Sequence, residues 1–291
     1  MISIIIPTLN EEKLLSRLLD NLKNQTFQDF EIIVADADSS DRTRSIAEDY
    51  GCKIVDGGFP GVARNNGAKF ASGNYLVFFD ADVSISNNFL KDAFSEFQER
   101  YLEVSTCPYI PDSEDYKSWF DLYNAYAKAF QYVRPSCGGA FMLMTRRIFE
   151  RVGGFDESLK LAEDHNFVKR ASQFAKFRIL ENVSLTLSVR RFKKEGLVKF
   201  LSRAIRSEVY RSFVGEIKDD RFKYELGSYN DEKEFSKERQ NLKNVFEDFK
   251  KKIGKINNKP RKPKKKKIKK LKDKKNSKEK RSQKKLFNKT R

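Results

Sequence analysis

In the first hundred residues, short β-branched runs alternate with stretches of helical periodicity, and this alternation narrows the possible folds more than any other feature. Residues 2–6, 30–35, 53–56 and 75–79 read as strands. Between them, 11–25 places Leu14, Leu15, Leu18, Leu19 and Leu22 on one helical face, and 42–50 and 61–71 also read as helices. Repeated strand–helix–strand units predict an α/β fold with a mainly parallel sheet covered by helices on both faces. Such sheets bind ligands at the carboxyl ends of their strands, and each polar cluster described below is expected at such an end. Further along, 89–103 and 119–132 read as helices, and 138–145 and 183–189 as strands. Residues 197–213 predict a basic amphipathic helix, with Leu197, Leu201, Ile205, Val209 and Phe213 every fourth residue and Lys199, Arg203, Arg206 and Arg211 off that row. It is expected to pack on the sheet domain or to lie in a membrane interface. A second amphipathic helix is predicted within 231–253, from Phe235, Leu242, Val245, Phe246, Phe249 and Ile253.

The net charge of +18 is confined to one end. Residues 255–291 hold 20 Lys/Arg and 2 Asp/Glu, whereas the rest of the chain carries 39 of each sign. The body is therefore electrically ordinary. The tail holds a single aromatic, Phe287, and no apolar periodicity, and is predicted to be disordered. A lysine-rich tail attracts anionic membrane surfaces or nucleic-acid phosphates without sequence readout, and its lack of interleaved aromatics argues against specific single-strand recognition. Cys52, Cys107 and Cys137 are scattered, which suits a reducing compartment; one histidine, His165, and no CxxC argue against structural zinc. The chain opens on an apolar strand rather than a charged leader, and no apolar run approaches the ~20 residues of a membrane span. A cytoplasmic location is expected, with any membrane contact peripheral.

Four acidic constellations carry the chemistry. Pro7-Thr8-Leu9-Asn10-Glu11-Glu12 follows the first strand; Thr8 and Glu11 fit a capping box, or the turn faces a nucleotide. Asp36, Asp38 and Asp41 follow the second strand. Asp41 or Ser40 suits a helix cap, while Asp36, last before the turn, can accept hydrogen bonds from a base or ribose. Asp80-Ala81-Asp82 closes the apolar run 75–79. Two carboxylates at spacing two suit Mg²⁺ or a similar hard cation that takes its other ligands from phosphates and water. Glu163-Asp164-His165 follows a glycine-rich turn and reads as a helix start or as a general base. His165 is a metal ligand or an ordinary structural histidine.

In order and placement these four segments resemble the family 2 inverting glycosyltransferases of the GT-A fold, over about residues 1–190. "IIPTLNEE" looks like that family's first nucleotide-binding turn, and "IIVADADSSDRT" resembles its "IIVVDDGSTDGT", with Asp36 at the base-contacting position. "GVARNNGAKFASGNYLVFFDADV" is similar to the family's stretch from ARNxG to DxD. "GGAFMLMTRRIFERVGGFDESLKLAEDHNF" looks like the acceptor-side segment that ends in the catalytic Glu-Asp pair. One departure is Ala37-Asp38, where Asp-Gly is usual. The QxxRW motif of processive members is absent, which argues against a polysaccharide synthase.

The resemblance implies a GT-A domain over 1–227, with a nucleotide-sugar half (1–100) and an acceptor half (101–227), followed by the helix in 228–254 and the tail 255–291. It also implies inverting transfer from a nucleotide-diphosphate sugar to a hydroxyl of a glycan or lipid-linked acceptor. Asp164 would be the base; Asp82 with Asp80 would hold Mn²⁺ or Mg²⁺; Pro7, Leu9, Glu11, Asp36, Arg64, Asp80 and Ala81 would line the donor. Alternatives are a polyprenyl-phosphate sugar synthase and a non-catalytic nucleic-acid binder acting through the tail.

Overall fold

A computed structural model describes residues 1–135 and 137–222. The predicted helix in 228–254 and the basic tail 255–291 lie outside these residues. The chain runs β1 (Ile2–Thr8), α1 (Glu12–Lys23), β2 (Phe30–Asp36), α2 (Thr43–Asp49), β3 (Lys53–Asp56), α3 (Pro60–Lys69) and β4 (Tyr75–Phe79). Next come β5 (Val83–Ser84), α4 (Phe89–Glu99), β6 (Val104–Thr106), β7 (Tyr109–Pro111) and α5 (Lys117–Phe130). The remainder is β8 (Phe141–Thr145), α6 (Arg146–Arg151), α7 (Glu163–Ala171), β9 (Phe177–Ile179), β10 (Leu185–Leu187), α8 (Arg190–Glu195) and α9 (Leu197–Phe213).

The main sheet has strand order β3-β2-β1-β4-β8-β6-β9. Strands β1 to β4 are parallel, as the alternation predicts, and β8 enters antiparallel between β4 and β6. Alternate residues of each strand serve opposite faces. Ile4, Ile6, Val34, Val77 and Phe79 pack with Leu15, Leu18, Leu19 and Leu22 of α1 and with Phe89 and Phe97 of α4. Ile5, Ile33, Ala35, Leu76 and Phe78 pack with Ala63 of α3 and with Phe167 and Val168 of α7. The small second sheet, β5-β10-β7, lies beyond the end of β4.

Several boundaries differ from expectation for local reasons. Helix α4 stops at Glu99, because Tyr101 turns the chain with φ +51° and releases Val104 into β6. The strand expected over 138–145 begins only at Phe141, since Gly138 and Gly139 are drawn into the site described below. Helix α9 has its predicted bounds but not its predicted face. Four-residue spacing gains about 40° per step on a helix of 3.6 residues per turn, so the row rotates by about 160° from Leu197 to Phe213. Leu197 and Phe200 pack inward, Phe200 against Phe192 at 4.7 Å between ring centroids, while Ile205, Val209 and Phe213 are exposed. The inner side of the helix is closed instead by buried Ser207 and by the Arg203–Glu195 and Arg211–Glu216 ion pairs. No helix among the described residues is long and apolar enough to cross a membrane.

Candidate active site

Strands β2, β1 and β4 are neighbours, so the loops that leave their carboxyl ends lie side by side. The β1 and β2 loops are stitched together. Asn10 N and Glu11 N donate to Ser39 Oγ and Thr43 Oγ1, both at 2.8 Å, and Asn10 Oδ1 accepts from Ser40 N. The capping box expected from Thr8 and Glu11 does not form. Thr8 instead donates to Asp36 Oδ2 at 2.9 Å, because the register of β1 on β2 sets these two residues opposite each other. Asp41 accepts from Thr43 N and Glu12 N, serving the starts of α2 and α1 at once. Asp38, at the position of the family's usual glycine, takes φ +57°. Aspartate tolerates that left-handed conformation better than most residues.

Asp36 is 1% exposed, and its carboxylate accepts from Thr8, from Ser39 N and Oγ, and from Arg44 at 3.4 Å. Its oxygens thus organise the floor of the two-loop rim. Gly57 closes that rim from β3: its N–H donates to Asp36 O at 2.7 Å, and a Cβ there would stand 2.5 Å from the Asp36 carbonyl carbon.

Two arginines bring the remaining acids together. Arg64, buried on α3, donates to Glu163 at 2.5 Å and to Asp80 Oδ1 at 2.9 Å. Burial opposes its charge, but Asp80, Glu163 and Asp164 outweigh that and raise its pKa. The side chain expected among the donor contacts is therefore the hub of a carboxylate cluster. Glu163 is raised by burial and by Asp164, against the pull of Arg64. Asp164 accepts from His165 N at 2.6 Å through Oδ1, while its Oδ2 faces Gly139, where an added Cβ would lie 3.2 Å away. The pair begins α7 after a long loop, not at a strand end as expected. Half-buried His165 adds its backbone N–H to this arrangement.

Arg190, at the start of α8, pairs with Glu11 and lies 3.5 Å from Asp82. Pairing of β10 with β5 carries it there, along with a bond from Ser188 N to Asp82 O. Burial raises Glu11 to about 7 despite Arg190, with Asp82 and Asp80 adding to the rise. Asp82 is likewise raised, first by burial, then by Asp80, against Arg190 and Arg191. Arg190 was not among the residues predicted from sequence; its one local signal is a basic pair between a short apolar strand and Gly196.

Pro7 and Leu9 are half-buried on the β1 side of the rim, and Ala81 is buried between Asp80 and Asp82. Asp80 retains 40% of its side-chain exposure. Asp82, whose ionisation is disfavoured by burial and by the neighbouring Asp80 carboxylate, and solvent-open Asp80 form a donor set that fits a divalent cation. No group of three such ligating side chains occurs among the described residues. A cation here would complete its shell from a ligand's phosphates and water.

Residues 3–153 match the profile of Glycosyl transferase family 2. The chain belongs to this family. It is 28% identical over 205 residues to the uncharacterized glycosyltransferase EpsJ of Bacillus subtilis, covering 64% of this chain and 58% of EpsJ. It is 37% identical over 112 residues to the poly(ribitol-phosphate) β-N-acetylglucosaminyltransferase TarS of Staphylococcus aureus, covering 35% of this chain and 20% of TarS. The family 2 chain thus spans under two thirds of either relative. Its GT-A fold is that of S. aureus TarS 1–349 in complex with UDP-GlcNAc (TM-score 0.54, 24% identity, 73% of each chain). It is also that of the Pyrobaculum calidifontis mannosyltransferase PcManGT with GDP-Man and Mn²⁺ (TM-score 0.56, 23% identity, 70% of this chain and 64% of that one).

Proposed function

We propose that the protein transfers a sugar, with inversion, from a nucleotide-diphosphate sugar to an acceptor hydroxyl on a cell-surface glycan or lipid-linked precursor. The observation that carries this reading is the Arg64 hub, which holds Asp80 of the DxD turn beside the Glu163–Asp164 pair from ninety-nine residues further along. Family membership and the nucleotide-sugar complexes of the structural neighbours support it.

Pro7, Leu9, Glu11 and Asp36 form the nucleotide end, with Asp36 ordering the loops, and Asp80 with Ala81 borders the donor sugar. Asp82 and Asp80 would hold Mn²⁺ or Mg²⁺, which supplies positive charge to the leaving nucleotide diphosphate. Arg190, already against Asp82 and Glu11, adds a second cation at that end. Of the acidic pair, Glu163 is engaged by Arg64, which leaves Asp164 to take the acceptor's proton. His165 N orients one oxygen of Asp164 and the other faces the opening beside Gly139. The deprotonated hydroxyl attacks the anomeric carbon from the face opposite the departing diphosphate.

The test is a panel of nucleotide sugars with Mn²⁺, scored by release of nucleoside diphosphate, with product analysis separating a sugar-hydroxyl acceptor from a polyprenyl phosphate. Asp164→Asn should lower transfer by roughly 10²- to 10⁴-fold while donor affinity is retained. Full turnover in that variant would place the base elsewhere.

A further inference from the structure

The rotated apolar row of α9 leaves Val198, Ile205, Val209 and Phe213 exposed, at 53%, 64%, 53% and 86%. At 100° per residue these four fall within an arc of about 80°, and exposed Lys199 and Arg206 border that arc on one side. On the other side Arg134 pairs with Glu208 and donates to Ser212 Oγ at 2.6 Å. That contact sets the turn after α5 against the helix and carries exposed Val133 with it. The result is an apolar ridge with a cationic edge.

We propose that this ridge seats the protein on an anionic phospholipid bilayer. A single helix with large exposed apolar side chains and flanking basic residues has the form of an interfacial helix. It is convex, so it suits a plane rather than a partner's protruding segment. Charge selects among occupants. A second copy would set Lys199 and Arg206 against the same cations, the tail over 255–291 is itself strongly basic, and segment 231–253 balances six acidic residues against seven basic ones. Only an anionic surface complements the edge. The placement also serves the site: Gly139 lies five positions after Arg134 in sequence, a reach of at most about 18 Å, and Gly139 abuts Asp164.

The experiment uses the full chain without donor, so its result is independent of the transferase reading. Trp119 is the single native tryptophan, and Phe213→Trp adds a reporter on the ridge. Vesicles of phosphatidylcholine are compared with vesicles containing about 30 mol % phosphatidylglycerol, each with and without brominated acyl chains. Expected are pelleting with the anionic vesicles only and bromine quenching of the added fluorescence beyond that of the parent. Ile205→Asp with Val209→Asp and Phe213→Asp should reduce pelleting roughly tenfold or more, with an unchanged circular dichroism spectrum and melting curve. Three outcomes overturn the proposal. Pelleting without added quenching would assign binding to the basic tail. Shielding of the reporter from acrylamide in free protein would assign the ridge to the chain's own C-terminal segment if independent of concentration, and to a second copy if concentration-dependent.

Discussion

Arg64 works through geometry rather than by contact with solvent. Its guanidinium is fixed at both ends, on Glu163 and Asp80, and Gly139 O lies 3.4 Å from the same Nη2 that binds Asp80. A Cβ at Gly139 would stand 2.6 Å from that nitrogen. The far end of an arginine usually yields to such a clash, but this one is buried and doubly ion-paired, so yielding means leaving Asp80 and Glu163. Gly139→Ala should therefore lower kcat by about 100-fold, the order expected of a small misplacement in a catalytic array, with a melting temperature near that of the parent. Unchanged kcat would show that the hub does not set the geometry of Asp164. Asp36, Asp80 and Asp82 were legible in the sequence because carboxylates at the ends of apolar strands have few structural reasons to be there, whereas Glu163 and Asp164, after a long loop, were marked only by their adjacency and by the family resemblance. Arg64 was noticed as a donor contact, and the structure adds its role as a hub between Glu163 and Asp80. Gly139 and Arg190 could not be assigned from sequence, since their roles exist only across contacts such as Arg190 with Glu11, 179 residues apart.

At the scale of elements, β1, β2 and β4 were readable as largely apolar runs of at least five residues, and the short, half-charged β3 from its place between two helical stretches. Strands β5, β6, β7 and β9 span two or three residues and carry no period to read; the sheet around them defines them. The opposite end of the readable region shows how two elements are locked in register. Ser3 on β1 donates to Glu31 on β2 at 2.6 Å, Ser72 N donates to the same oxygen, and Gly73 N donates to Ser3 Oγ. Burial pushes the Glu31 pKa up, but the bonds from Ser3 and Ser72 outweigh it and the net shift is downward. A carboxylate with a lower pKa folded than unfolded stabilises fully above its unfolded value, near 4.5, and the contribution is lost as pH falls through the folded value. Glu31→Gln should thus shift the urea midpoint more at pH 7 than at pH 3. An equal shift at both pH values would assign the effect to hydrogen bonding alone.

For the molecule as a whole, the charge balance that bears on the chemistry is the local one at the rim. Glu11, Asp80, Asp82, Glu163 and Asp164 surround the rim, against Arg64 and Arg190, with Arg191 acting on Asp82 at longer range. Once Glu11, raised to about 7, and the other acids are ionised, five carboxylates against three guanidiniums leave surplus negative charge where a nucleotide diphosphate, itself an anion, is proposed to bind. Partial desolvation strengthens that repulsion relative to water. Nucleotide and cation should therefore bind as a pair. UDP or GDP alone is expected to leave the melting temperature unchanged, whereas the preferred nucleotide with Mn²⁺ at about 100 times its dissociation constant adds ~2.7 kcal/mol. For a folded unit of this size that corresponds to a rise of about 5–10 °C. Asp82→Ala should abolish the paired effect while keeping the parent's unliganded melting temperature or exceeding it, because a buried carboxylate crowded by Asp80 is removed. An equal rise with nucleotide in the presence of EDTA would mean that the three arginines alone offset the rim's charge, and the two aspartates would then need another role.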